Sequence, residues 1–231
     1  MISRCDTGGE LRQTLVLIDH SYFIDMPNGD GIEIDDDNDC LYLLNPWING
    51  DDLSTITNSV FSTGKDDGID HNGANVYVSN CVIEGFCNEG IAASNANEIF
   101  IYNTLILNCE QGIEAGFGSP NVYVNHCTLI DNEIGLRFGD WYNWGCSGNL
   151  KVTNTISYNN ILHDVWNFDV LSNSPVPEAI DITYSIVNND EYNGNIGCLT
   201  GSPEFTADFL LQDSSIGKNA GADNLDMGIL P

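Results

Sequence analysis

An internal repeat of about 22 residues is the feature that most constrains how this 231-residue chain folds. Segments with the same six-residue pattern begin at residues 54, 76, 99, 122 and 150, and a weaker copy begins at residue 180. Within each copy apolar and polar residues alternate, as in Val76-Tyr77-Val78-Ser79, which is typical of a strand that buries one face. A second column repeats in step with the first and holds Gly31-Ile32, Gly68-Ile69, Gly90-Ile91, Gly112-Ile113 and Gly135-Leu136.

The length of the repeat favours one architecture. It is too short for the strands of a propeller blade, and it lacks the apolar period of helical repeats. One turn of a coil with three short strands fits it, with neighbouring turns about 4.8 Å apart. The sequence therefore predicts an all-β fold, a right-handed single-stranded parallel β-helix (a solenoid) of about six to eight coils. One column predicts a ladder of stacked amides, interrupted by His126, that holds Asn58, Asn80, Asn103 and Asn154.

We expect the coils to form a single domain over residues 1–231. The repeat is irregular before residue 54, so we predict N-terminal coils over 1–53 with an insertion from Asp35 to Leu53. Regular coils then occupy 54–196. A C-terminal cap occupies 197–231, where the repeat is lost.

The charge of the chain argues against some classes of partner. There are 6 Lys and Arg against 34 Asp and Glu, which gives a formal net charge of −28. Such a surface repels nucleic acid and anionic lipid. No apolar run approaches the roughly 20 residues of a membrane-spanning helix, so we expect no membrane insertion. Because Ile2-Ser3-Arg4-Cys5 reads like the interior of a strand, we expect a monomeric module of a longer secreted or cell-surface protein.

Alignment on the second column predicts a strip of carboxylates along one outer face of the coil. Its members are Asp30, Glu33, Asp66, Asp67, Asp70, Glu89, Glu110, Glu114 and Glu133. Like charges about 5 Å apart cost stability unless a cation binds or the carboxyl pKa values rise. Hard oxygen ligands favour Ca²⁺, and the predicted calcium ligands are Asp30, Glu33, Asp67, Asp70 and Glu89. A solvated acidic face without a ligand is the alternative.

Other residues beside the strip are candidates for contact with a substrate. Lys65 directly precedes Asp66, and Arg137 ends the column that begins at Glu33, so each is a candidate catalytic base or an ordinary salt-bridge partner. Aromatic side chains in the loop at 141–148 stack on sugar rings or plug an apolar seam. The predicted substrate contacts are Glu33, His71, Glu89, Glu114, Trp141 and Trp144.

Two cysteines are predicted to be neighbours on successive coils. Cys87 and Cys109 each lie three residues before a glycine of the second column. The spacing of the coils lies within the Cα range of a disulfide, about 4.4–6.8 Å. The sequence therefore predicts either a Cys87–Cys109 disulfide or two stacked free thiols.

Two motifs carry a resemblance to a known family. Asn28-Gly29-Asp30-Gly31-Ile32 and Gly64-Lys65-Asp66-Asp67-Gly68-Ile69 resemble the pectin-lyase-like superfamily, and specifically the rungs of polygalacturonase-type glycoside hydrolases. The resemblance implies that Asp30, Asp66 and Asp67 are catalytic. The chain departs from the family pattern at Asn88-Glu89-Gly90, where those enzymes have Gly-His-Gly, and it lacks their Arg-x-Lys motif.

A second resemblance covers about residues 54–230. Asp66-Asp67-Gly68-Ile69-Asp70 and the ending Pro203-Glu204-Phe205 are similar to uncharacterised right-handed β-helix modules of bacterial secreted and surface proteins. This resemblance implies the fold and leaves the activity open.

We therefore predict a polysaccharide-active protein that cleaves glycosidic bonds as a hydrolase or a lyase. The predicted catalytic residues are Asp30, Asp66, Asp67, Asp70, Lys65 and Arg137. A hydrolase uses one carboxyl to protonate the leaving oxygen and another to activate water. A lyase uses Ca²⁺ to neutralise a uronate and Lys65 or Arg137 to remove a proton. A non-catalytic calcium- or carbohydrate-binding module and a structural spacer are the alternatives.

Overall fold

Three parallel sheets form the sides of one continuous coil. The computed structural model describes residues 1–5, 7–26, 38–44, 53–96, 98–141 and 144–231. Sheet A holds β1 (Ile2–Ser3), β4 (Tyr22–Ile24), β7 (Val60–Gly64), β10 (Val82–Phe86), β13 (Leu105–Leu107), β16 (Thr128–Ile130), β19 (Ile156–Tyr158) and β22 (Ile186–Val187). Sheet B holds β2 (Glu10–Arg12), β5 (Tyr42–Leu44), β8 (Ile69–Asn72), β11 (Glu89–Ser94), β14 (Gln111–Ala115), β17 (Ile134–Phe138) and β20 (His163–Asn167). Sheet C holds β3 (Leu17–Asp19), β6 (Ser54–Thr57), β9 (Val76–Ser79), β12 (Glu98–Tyr102), β15 (Asn121–Asn125), β18 (Asn149–Thr153) and β21 (Ile180–Thr183).

The chain visits the three sheets in turn, so each strand pairs with the strand one coil earlier and one coil later. In the part of the chain that the structure describes, sheets of 8, 7 and 7 strands make seven complete coils and the start of another. The predicted all-β right-handed parallel β-helix and its number of coils are therefore confirmed. In the described ranges, no helix has the length and apolar character needed to cross a membrane.

Stacked aliphatic side chains fill the interior of the coil. In sheet C, Ile56, Val78 and Ile101 lie at the same register on successive strands, and each is almost completely buried. Each such side chain stabilises the fold by about 1.5–3 kcal/mol relative to an exposed position. Near the N-terminal end, the rings of Phe23 and Phe61 continue this stacking at 4.9 Å.

The predicted asparagine ladder is confirmed at the turn between sheets C and A. Asn80 donates a side-chain hydrogen bond to Asn58 at 3.2 Å, and Asn103 donates one to Asn80 at 2.9 Å. All three have a left-handed backbone, with φ of 51°, 53° and 46°, which asparagine tolerates better than most residues. His126 takes the next place in the column, and its Nε2 lies 3.2 Å from the Nδ2 of Asn154.

The segment after the last coil runs back along the outer face of sheet A. Leu211 and Met227 pack on Ile156 and Ile186. Further along, Phe205, Phe209 and Ile229 cover a group formed by Leu105, Leu107 and Ile130. The backbone N–H of Leu230 donates to Asn103 Oδ1 at 2.6 Å. The C-terminal segment therefore covers several coils of sheet A.

Candidate active site

A groove of about 580 Å³ lies on the outer face of sheet B. Its floor follows from the strand register, which places Asp70 opposite Tyr42 and Ala92, and Glu114 between Ala92 and Arg137. Further carboxylates, those of Asp39, Asp66 and Asp67, lie two or three residues before β5 and β8. We call this site the acidic groove, and its carboxylates are Asp39, Asp66, Asp67, Asp70, Glu89 and Glu114.

Three of these carboxylates form a tight cluster. One carboxylate oxygen from each of Asp39, Asp67 and Asp70 lies within 4.8 Å of the other two. Asp39 and Asp67 are buried, and Asp70 is half-buried. The backbone N–H of Cys40 donates to the carbonyl oxygen of Asp67 at 2.7 Å, which aligns the two coils and brings Asp39 beside Asp67. Carboxylates this close hold a proton or a cation, because their charges repel strongly when water is excluded.

Asp67 and Glu89 are joined directly. The backbone N–H of Glu89 donates to Asp67 Oδ1 at 2.9 Å, and the two carboxyl groups also share a hydrogen bond. Burial raises the pKa of Asp67 well above its usual range, and the charges of Glu89, Asp70 and Asp39 raise it further. Burial also raises the pKa of Glu89, while the hydrogen bond from Asp67 opposes that rise. The pair therefore keeps a shared proton to higher pH than an isolated carboxyl group does.

A polar network continues from Glu89 along sheet B. Gln111 Nε2 donates to Glu89 Oε1, and Arg137 Nη1 donates to Gln111 Oε1 at 3.3 Å. Arg137 also forms an ion pair with Glu114. Burial raises the pKa of Glu114, and the charge of Arg137 lowers it. The network links the acidic cluster to the next coils of the same face.

The rim of the acidic groove is polar on one side and aromatic on the other. Asp66 accepts hydrogen bonds from Asn88 Nδ2 at 2.9 Å and from the backbone N–H of Asn38 at 3.2 Å. Phe117 and Trp144 also line the groove, and their rings meet edge to face at 4.8 Å. A chain molecule in the groove would therefore contact carboxylates below and aromatic rings at one wall.

The structure brings together most of the site residues predicted from the sequence. The lining of the acidic groove includes Lys65, Asp66, Asp67, Asp70, Glu89, Glu114 and Trp144. Arg137 and Trp141 lie in contact with each other farther along the face, where the Arg137 Cζ is 5.1 Å from the Trp141 ring centroid. Glu110 and Glu133 are exposed outside the lining. Asp30 and Glu33 lie outside the described residues.

One residue of the cluster was missed because the sequence alignment of the early coils is wrong. The alignment set Gly31-Ile32 next to Gly68-Ile69, whereas the strand that precedes β8 in sheet B is β5, with Tyr42 opposite Asp70. Asp39 lies three residues before Tyr42, as Asp67 lies three residues before Asp70. Asp39 therefore holds the position that the motif comparison assigned to Asp30, within the segment predicted as an insertion.

Two further sequence predictions are wrong, one for a histidine whose side chain faces the interior and one for a pair of cysteines. His71 alternates with Asp70 along β8, so it is fully buried and contacts the carbonyl oxygen of Ala74 instead of a substrate. Burial lowers the pKa of His71 to about 4. Of the two alternatives predicted for Cys87 and Cys109, the disulfide is wrong: both are free thiols, with Cys87 exposed at the groove and Cys109 in the core.

The comparison with protein families identifies the class of the chain. Residues 9–206 match the family described as right handed beta helix region. The chain therefore belongs to the right-handed β-helix family. No curated protein and no solved structure matches it significantly.

Proposed function

We propose that the acidic groove cleaves glycosidic bonds of a polysaccharide by hydrolysis. The observation that carries the proposal is the buried Asp67, with a raised pKa, next to the carboxylates of Asp39 and Asp70 in an open groove. Hydrolysis of a glycoside needs one protonated and one ionised carboxyl group in the same cleft. The right-handed β-helix is compatible with polysaccharide-active enzymes and with binding modules.

Each carboxyl has a role that follows from its surroundings. Asp67 donates its proton to the glycosidic oxygen, because burial and neighbouring charges raise its pKa well above the usual aspartate range. Asp70 faces the groove, is half-buried, and has an oxygen within 4.8 Å of Asp67, which is too close for a water between the two groups and suits a nucleophile. Asp70 therefore attacks the anomeric carbon as the bond to the leaving oxygen breaks, and water then hydrolyses the glycosyl ester while ionised Asp67 takes the proton of that water. Asp66, held by Asn88 and the backbone of Asn38, is positioned to bind sugar hydroxyl groups.

A lyase reaction has weaker support. It needs a base that removes the proton beside a uronate carboxyl group. The guanidinium of Arg137 is buried and ion-paired with Glu114, which makes it a poor base. Among the described residues, Lys65 at the groove is the other predicted base. We propose instead that its positive charge balances the carboxylates of the groove.

The test is an assay of reducing ends over a panel of polysaccharides, with absorbance of unsaturated uronates followed in parallel, in Ca²⁺ and in EDTA. We expect reducing ends without the unsaturated chromophore. Asp67→Asn abolishes this turnover and keeps the fold, whereas the exposed Asp208→Asn is a matched control with wild-type turnover. If Asp67→Asn turns over as fast as the wild type, Asp67 is not catalytic. If the product carries the unsaturated chromophore, the reaction is an elimination and the proposed hydrolysis is wrong.

A second candidate function rests on the same three aspartates. Oxygens from Asp39, Asp67 and Asp70 within 4.8 Å form a set of hard ligands suited to Ca²⁺, which would serve a calcium- or carbohydrate-binding module. Ca²⁺ and the proton on Asp67 then compete. A melting temperature that rises with Ca²⁺ in the absence of any turnover favours this module over the hydrolase.

A further inference from the structure

The guanidinium of Arg137 has one edge that the described protein does not use. The side chain is 1% exposed, and its Nη1 donates to Glu114 and Gln111. Its Nε and Nη2 are also buried, and neither has a hydrogen-bond partner among the described residues. These two nitrogens form the forked edge of a planar group, which donates to two acceptor oxygens side by side. Buried donors without partners are costly and rare, so this edge indicates a ligand.

Two tryptophan rings lie close to this guanidinium. The Cζ of Arg137 lies 5.1 Å from the ring centroid of Trp141 and 5.4 Å from that of Trp166. Trp166 stacks in turn on His163 and Phe168, with centroids 5.7 Å apart in both pairs. Trp141 is 55% exposed, so much of its ring surface is open to solvent. Large amphipathic rings of this kind present an apolar face to a ligand.

The charge around Arg137 selects the ligand. Its positive charge is already paired with Glu114, and Glu89 and Asp140 lie close enough to influence the titration of that carboxyl group. The chain as a whole carries a net charge of −28. An anionic group would meet this repulsion, because like charges across an interface suppress binding. Two neighbouring hydroxyl oxygens of an uncharged sugar satisfy the fork without adding charge.

We infer that Arg137, Trp141 and Trp166 form a binding subsite for one sugar of an uncharged polysaccharide. Adjacent hydroxyl oxygens of the sugar accept hydrogen bonds from Nε and Nη2, and its ring packs on the indoles after the exposed ring of Trp141 shifts aside. The inference rests on the proposed function for the choice of a glycan, and it names the substrate as neutral. Three strand steps of about 4.8 Å separate the coil of Asp67 from that of Arg137, so one glycan chain running along the coil axis spans both.

The experiment measures binding instead of turnover. Hexasaccharides of cellulose, xylan, mannan and starch, and hexagalacturonate, are titrated calorimetrically into the full chain with Asp67→Asn, so that the ligand stays intact. We expect a neutral hexasaccharide to bind at least tenfold more tightly than hexagalacturonate. Adding Arg137→Lys, which keeps a charge for Glu114 and removes the fork, weakens that binding about tenfold, while Arg4→Lys at an exposed site leaves it unchanged.

A measurement on the unaltered arginine covers a failure of Arg137→Lys to fold. The chain has three arginines, Arg4, Arg12 and Arg137, so their Nε–H signals are few in an NMR spectrum of labelled protein. We expect the Arg137 Nε–H signal to shift on titration with the bound hexasaccharide, while that of Arg4 stays in place. The inference is overturned if hexagalacturonate binds most tightly or if no neutral hexasaccharide binds. It is also overturned if a neutral hexasaccharide binds and the Arg137 signal does not move. Binding with these properties but no turnover by the wild-type chain supports the subsite and refutes the hydrolase alone.

Discussion

Replacing Asp67 by asparagine is expected to stabilise the protein at the same time as it removes activity. Asp67 and Asp39 are both buried, and their nearest oxygens lie within 4.8 Å. At an effective dielectric constant of about 20, two charges at that distance repel by about 3 kcal/mol. Part of this repulsion is avoided because Asp67 holds a proton, so we expect Asp67→Asn to raise the free energy of unfolding by about 2 kcal/mol at pH 8. For a chain of this length, that corresponds to a melting temperature about 4–8 °C higher.

The pH dependence of this gain has a definite sign. The pKa of Asp67 is raised in the folded state, so the contribution of Asp67 to the stability of the wild-type chain is greatest at low pH. That contribution falls as the pH rises above the ordinary aspartate value and through the raised value of Asp67. Asparagine does not ionise, so the advantage of Asp67→Asn is absent near pH 4 and grows toward pH 8.

The assay is thermal unfolding of wild type, Asp67→Asn and the exposed Asp208→Asn in EDTA at several pH values between 4 and 8. We expect Asp208→Asn to follow the wild type throughout. A lower melting temperature for Asp67→Asn at pH 8, or the same difference from wild type at every pH, refutes the argument from crowded carboxylates.

Three other predictions follow from the same contacts. Asp39→Asn removes a charge that raises the pKa of Asp67, so the alkaline limb of the pH–rate profile moves to lower pH. Arg137→Gln leaves the buried Glu114 without its cation and lowers the free energy of unfolding by about 3–5 kcal/mol in urea at pH 7. Met227→Ala opens a cavity beneath the C-terminal segment and costs about 2–5 kcal/mol in the same urea titration.

Each of these predictions has a control in the chain. The exposed Asp208→Asn leaves the pH–rate profile unchanged, and an equal shift for both variants contradicts a specific effect of Asp39. Arg4→Gln removes an exposed cation and is expected to change the free energy of unfolding little. If Arg137→Gln changes it equally little, the ion pair of Arg137 with Glu114 does not contribute to stability. Leu225→Ala tests a side chain that is 46% exposed in the same segment as Met227. An equal cost for the two variants contradicts the packing of the segment on sheet A.

The fold was predictable from the sequence because its stabilising contacts repeat with the chain. Each coil places Ile or Val at the same inward position, so the period of the sequence is also the period of the structure. Asn58, Asn80 and Asn103 recur for the same reason, since each satisfies its amide against the amide one coil away. These contacts connect residues that are a nearly constant number of positions apart in the sequence, and the period of the repeat gives that number directly.

The site was only partly predictable because it depends on departures from the repeat. Asp39 belongs to a coil with Cys40 where later coils have glycine, so the glycine column did not reveal it. His71 was placed near a substrate because it follows Asp70, yet alternation along a strand sends it to the opposite face. Phe117 and Trp166 meet the groove or Arg137 through long-range packing, which no local pattern encodes.

A titration of the side-chain carboxyl carbons by NMR tests most directly whether one groove gathers these acids. The measurement follows the ¹³C signal of the Asp67 carboxyl group from acidic to alkaline pH, with Asp208 as an exposed reference. We expect Asp67 to titrate well above the ordinary aspartate value of 3.8, and its midpoint to fall when Asp39 is replaced by asparagine. A midpoint for Asp67 at the ordinary value, unmoved by that replacement, contradicts the buried acid on which the proposed hydrolysis depends.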